Sequence, residues 1–168
     1  MVDQSSEDAA KAERTEEILS SLLPRLTRLS ASTSRGRLLE RAIEATGLPL
    51  DKPAITILVT LNRASGPLRV GEIAAQMQVV GPHVTRHVGT LEKRGLVRRV
   101  TDPDDQRARL IELTDSGTAA AEAYTRSVFT WFAEVLADWP EQDRLDLVRL
   151  LGRLTDDVTA HLETLDEN

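Results

Sequence analysis

Between Pro67 and Thr114 the chain runs through two helical periods separated by a tight turn and then switches to strand alternation, an order that few folds accept. Val70, Ile73, Ala74 and Met77 share one face of a short helix, and the small Ala74 and Ala75 permit the close crossing that a second helix needs. Gln78 to Gly81 reads as the turn. Gly81-Pro82 then opens the second helix with a permissive residue and a proline at its first position. Val84, Val88 and Leu91 recur at i, i+4 and i+7, and Gly95 ends it. Leu96 to Val100 and Arg109 to Leu113 are β-rich segments around the turn Thr101 to Ala108, which holds Asp102-Pro103-Asp104-Asp105. The expectation is a mostly α protein built around a helix-turn-helix followed directly by a charged hairpin.

The side chains left over by this pattern are those that read nucleic acid. His83, Thr85, Arg86, His87 and Thr90 are expected to point outward from the N-terminal half of the second helix, where short polar and cationic groups reach base edges and phosphates. The hairpin carries Arg98 and Arg109 at its base and Arg107 near its tip, placed to follow a DNA backbone and enter a groove. One of the acidic residues of this turn, Asp105 first among them, is expected to pair with an arginine and fix the loop, since a guanidinium fork matches a carboxylate.

A net charge of −6 is unfavourable for a DNA partner only if it is spread evenly, and it is not. Residues 62–109 hold nine basic and five acidic side chains, or +4, while residues 1–61 stand at −1 and residues 110–168 at −9. Affinity for DNA depends on the local field at phosphates, so a basic block inside an acidic chain is compatible with binding.

The rest of the 168 residues supplies helices. Aromatics make up only 3%, which favours Leu/Val/Ala-rich helices over a β-sandwich. Residues 1–12 are polar and acidic and are expected to form a mobile tail. Residues 13–50 form a helical segment expected to share in a dimerisation domain with the C-terminal helices, with Ile18, Leu22, Leu26 and Leu29 in register, bent or interrupted by Pro24 and by the stretch Ser30 to Gly36, and stopped by Gly47. Asp51 caps the helix that begins the winged domain, residues 51–114. Residues 115–168 add a helix over Ala119 to Ala137 and a last helix after Pro140. In that last helix Leu147, Leu151, Leu154, Val158 and Leu165 approximate a heptad seam, which points to a homodimer.

The absence of cysteine removes disulfides, thiolate metal sites and thiol redox sensing. No apolar run reaches the roughly 18 to 20 residues of a membrane span, and the N-terminus does not resemble a signal peptide, so a cytoplasmic location without membrane contact is expected.

The run Leu91-Glu92-Lys93-Arg94-Gly95-Leu96-Val97, followed by Asp102-Pro103-Asp104-Asp105-Gln106-Arg107 and by Leu113-Thr114-Asp115-Ser116-Gly117, resembles the multiple antibiotic resistance regulator (MarR) family. The likeness extends over about residues 15 to 165, with its specific motifs in 67–117. It implies a winged-helix homodimer that represses, or less often activates, genes from a pseudo-palindromic operator, commonly relieved by a small molecule. By the same carry-over the recognition helix is His83 to Arg94 and the wing centres on Asp105 to Arg107. Two positions depart from the family pattern: Gln106 stands where Arg is usual, and Pro82 where Ser is common. The DNA-facing set is therefore Pro82, His83, Thr85, Arg86, His87, Thr90, Arg98, Asp105, Gln106, Arg107 and Arg109.

His83 and His87 have the i, i+4 spacing of a metal pair, but no nearby Glu, Asp or Cys completes a site, so neither a metal nor any other cofactor is expected. There is no phosphate loop, serine elbow or acid/base cluster, and enzymatic activity is not expected. A winged helix can also serve as a protein–protein docking module without specific DNA binding; the outward Arg86 and Arg107 weigh against that alternative. Any effector is expected to be a small, partly apolar organic molecule held non-covalently between the dimer helices and the winged domain.

Overall fold

The computed structural model describes residues 3–34, 37–103 and 105–166. Its elements are α1 (Asp3–Ser34), α2 (Arg37–Glu44), α3 (Lys52–Arg63), β1 (Leu68–Arg69), α4 (Val70–Met77), α5 (Gly81–Lys93), β2 (Val97–Thr101), β3 (Arg109–Leu113), α6 (Asp115–Val135) and α7 (Glu141–Asp166). They fall into two compact units, Met1–Val128 and Phe129–Asn168. No helix among the described residues is long and apolar enough to cross a membrane.

The first unit holds the winged helix-turn-helix. Asp51 caps α3 by accepting the amide of Ala54 at 2.9 Å, with Pro53 in the first turn, where its missing N–H is harmless. Gln78 closes α4 in the left-handed region at φ 54, and its amide donates to the carbonyls of Ala74 and Ala75. α5 starts without a side-chain cap because its N-cap position is Val80, which has no polar side-chain atom, and Pro82 stands in its first turn. It ends at Gly95, whose φ of 69 favours a residue without Cβ, and the amide of Leu96 returns to the carbonyl of Leu91 at 3.0 Å.

The sheet has the order β1-β3-β2 and is antiparallel throughout. The hairpin register pairs Val97 with Leu113 and Thr101 with Arg109, while Leu68 lies opposite Ile111. This alternation turns Val97 and Ile111 into the core beside Ile55, Ile57 and Leu58 of α3, Ile73 of α4, and Val84, Val88 and Leu91 of α5. Ala120 and Ala121 of α6 belong to the same core, so the start of α6 is part of the winged unit's packing.

At the N-terminal end the structure departs from expectation. Residues 3–12, read as a tail, continue α1; Met1 and Val2 lie outside the described residues. Pro24 does not end α1. It deletes one ladder bond, but on either side Ser20 donates to the carbonyl of Glu17, Arg25 to that of Ser21 and Thr27 to that of Leu23. Helix α1 also continues past Ser30 to Ser34, and the rest of the expected interruption, Arg35 and Gly36, lies outside the described residues. In the second unit, Pro140 precedes α7, which buries none of its described residues.

Candidate nucleic-acid interface

Helix α5 has a broad buried face, and that breadth corrects one expectation. His87 is not outward: it is 9% exposed, lying in the stripe with Val84, Val88 and Leu91. A helix face in contact with a core is wider than an i, i+4, i+7 line, and position 87 lies three residues after 84 and four before 91. Asp51 Oδ1 lies 3.7 Å from His87 Nδ1, an Arg86 Nη2 lies 3.5 Å from its Nε2, and the His83 ring leans on it with centroids 4.7 Å apart. His87 thus ties the start of α3 to the middle of α5.

The remaining candidates on α5 lie toward solvent. Pro82, Thr85, Arg86 and Thr90 are exposed and His83 is half-buried. The Thr85 hydroxyl donates to the carbonyl of Gly81 at 3.1 Å and that of Thr90 to the carbonyl of Arg86 at 3.3 Å, so both methyls are turned to fixed rotamers.

In the wing the basic residues divide into braced and unbraced. Arg98 pairs across the hairpin with Glu112, and Arg99 reaches Glu92 of α5 at 3.0 Å. Arg109 donates to the carbonyls of Gln106 at 2.9 Å and Ala108 at 3.1 Å, stiffening the loop from inside. Gln106 and Arg107 are exposed, and the Arg107 guanidinium has no partner among the described residues. Asp105 does not make the expected arginine pair; its carboxylate accepts the Arg107 amide at 3.0 Å, and its carbonyl accepts that of Ala108 at 2.9 Å. Two backbone amides two and three residues ahead are nearer to it than any guanidinium.

The arginine pair belongs to Asp102 instead. Its side chain is 8% exposed and accepts both Nη2 of Arg69 at 2.6 Å and Nε at 3.1 Å. Hydrogen bonding to Asp102 is the main cause that lifts the Arg69 guanidinium above its ordinary range. Asp102 belongs to the acidic turn from which an arginine pair was expected, whereas Arg69 did not stand out in the sequence. A signal was present, since an Arg next to a helix start and an Asp at the first position of a wing turn are both placed to meet once β1 joins the sheet.

Two helices joined by a left-handed turn, followed by a hairpin whose tip exposes Arg107, define a winged helix-turn-helix. The MarR family model matches residues 50–108. The chain is 31% identical over 101 residues to the uncharacterized HTH-type transcriptional regulator Mb0904 of Mycobacterium bovis, covering 60% of this chain and 69% of that one. It is 28% identical over 119 residues to the transcriptional activatory protein BadR of Rhodopseudomonas palustris, covering 70% and 68%. A MarR family protein from Bacillus stearothermophilus superposes with a TM-score of 0.71 at 27% identity, over 85% of this chain and 97% of that one. The chain belongs to the MarR family of transcriptional regulators.

Proposed function

We propose that this protein is a cytoplasmic regulator that binds a pseudo-palindromic DNA operator as a homodimer, most often to repress, and that a small organic molecule relieves it. The observation that carries the DNA reading is the division of labour among the arginines. Arg98, Arg99 and Arg109 are spent on holding the wing, whereas Arg107 at its tip and Arg86 on α5 are left to solvent within the one basic block of an acidic chain. Thr85, Thr90 and His83 add short polar side chains beside Arg86 for base edges.

Support for self-association comes from apolar surface that water would not leave uncovered. Leu151, Leu154, Val158 and Leu165 are all exposed on α7, Leu147 is half-buried, and Phe129 and Trp139 add to the exposed apolar area of the second unit. A two-fold operator requires a two-fold protein. For the effector, a cleft of about 330 Å³ in the first unit has Pro49, Ala54 and Leu91 as its apolar wall, with Arg86 and Arg94 outnumbering the one carboxylate, Asp51, among its charged lining. That volume and lining suit a small organic acid.

Selection of bound duplexes from a random pool tests the reading. Enriched inverted repeats with half-sites about one helical turn apart are the expected result. Recovery of no enriched sequence, together with no gel shift of random DNA at low salt, would overturn it.

A further inference from the structure

Arg69 occupies three structural roles at once. It is the second residue of β1, hydrogen-bonded into the sheet opposite Leu110; it is the N-cap of α4, its amide donating to Glu72 at 2.5 Å; and its side chain seizes Asp102. Asp102 sits at the root of the wing, where its amide donates to the carbonyl of Ala108 at 3.3 Å and closes the loop that carries Arg107. One guanidinium, 51% exposed, therefore joins the first helix of the helix-turn-helix to the first residue of the wing loop.

We infer that the Arg69–Asp102 pair is a positioning lock that fixes the wing loop relative to the helix-turn-helix, and so decides whether Arg107 reaches DNA when α5 is seated. The inference rests on the DNA-binding reading above. Among the described residues three side-chain ion pairs brace the hairpin: Arg98–Glu112 runs between its own strands, Arg99–Glu92 reaches α5 from the middle of β2, and Arg69–Asp102 joins the start of the loop to the N-terminus of α4. Without it, strand pairing still holds β2 against β3, since their register is set by backbone bonds, but the start of the loop loses its ion pair to the N-terminus of α4. A nearly buried carboxylate strongly prefers to keep its charged partner, which makes the pair a single discrete arrangement and not a loose association. The neighbouring carboxylates of Glu72 and Asp105 make Arg69 a poor phosphate ligand in its own right, so the pair acts through Arg107.

The test is a double-mutant cycle on the full chain, using a fixed duplex and a salt series. Asp102→Asn should lower affinity on the order of tenfold and reduce the salt slope by about one, as Arg107→Ala does, because both remove the same contact. In the Arg107→Ala background, Asp102→Asn should then add almost nothing. A merely structural role would instead leave the salt slope unchanged and lower the melting temperature, and losses that multiply in the double variant would overturn the lock. Should Asp102→Asn not fold, Arg69→Lys carries the same cycle, since it keeps a cation facing Asp102 but only one donor group where two met the carboxylate. If the wild type binds no duplex, the DNA reading fails; if it binds and Arg107→Ala weakens it while the cycle is additive, only the lock fails.

Discussion

Gly117 lies so close beneath Leu96 that a Cβ built on it would stand 1.9 Å from the Leu96 carbonyl oxygen and 3.2 Å from Cδ2 of Leu113. The approach is drawn tight by Thr114, whose amide donates to the Leu96 carbonyl at 3.1 Å while its hydroxyl donates to the Gly95 carbonyl at 2.6 Å and accepts the Gly117 amide at 3.1 Å. The Leu-Thr-Asp-Ser-Gly segment is thus the joint between β3 and α6, and only glycine fits at its last position. Gly117→Ala should destabilise the fold by about 3 kcal/mol, at the upper end for overpacking, because backbone and not a flexible side chain must yield. Urea unfolding would check this; a midpoint within error of wild type would refute it.

His83 and His87 should part company on substitution. His87→Ala removes a buried ring between Asp51 and Val84's neighbours and should cost stability of about 1–3 kcal/mol. His83→Ala should leave the melting temperature nearly unchanged and weaken operator binding. Circular dichroism and a gel shift on both variants decide it, and the reverse pattern would show that the face of α5 has been misassigned.

Arg107→Ala should weaken binding to every duplex alike and reduce the salt slope by about one, the signature of a lost backbone or groove contact. Arg86→Ala should cost about 1–3 kcal/mol in operator affinity with the fold intact, concentrated on particular sequences if the contact is to a base edge. Fluorescence anisotropy against operator and scrambled duplexes separates the two. Equal affinity and slope for Arg107→Ala would remove that residue from the interface.

Tyr124 is the single tyrosine of the chain, and burial pushes its hydroxyl pKa up, with Arg63 pulling weakly the other way. The unfolded chain therefore releases this proton first, near the ordinary value of 10.0. Tyr124's contribution is fully present below that pH and is lost as pH rises through the higher folded value. Absorbance of tyrosinate should lag behind that of free tyrosine, and Tyr124→Phe should flatten the alkaline loss of stability. A tyrosinate transition at the ordinary pH in the folded protein would refute the burial argument.

Replacing Leu154 and Val158 by Glu should convert a dimer into monomers, since both lie exposed on the same stripe of α7 and like charges would face one another across a two-fold axis. Sedimentation reads the outcome. An intact dimer would place the interface elsewhere.

The sequence alone located α3 to α5 and the hairpin because each has a strong period and clear punctuation: Asp51 before α3, Gly95 after α5, and the Asp-rich turn between strands. It missed β1, since two residues have no period to read, and with β1 it missed Arg69. Asp102 and Asp105 are chemically alike and three residues apart, so choosing which one meets an arginine requires knowing which turns inward; the partner lies 33 residues away in sequence. His87 was read by its polarity, whereas its position in the stripe placed it inside. Helix α1 passes Pro24 because a long helix loses one bond there while its flanking turns keep theirs.

Helix α7 runs for 26 residues without burying any of its described side chains. Isolated helices of modest length are only marginally stable in water, and most helical stability in proteins comes from packing of an apolar face. The helical order of α7 is accordingly linked to whatever covers it, and coverage and folding become one equilibrium. If the cover is a second copy, the ellipticity of the C-terminal segment will rise with protein concentration, and dilution will melt this helix before it touches the winged domain.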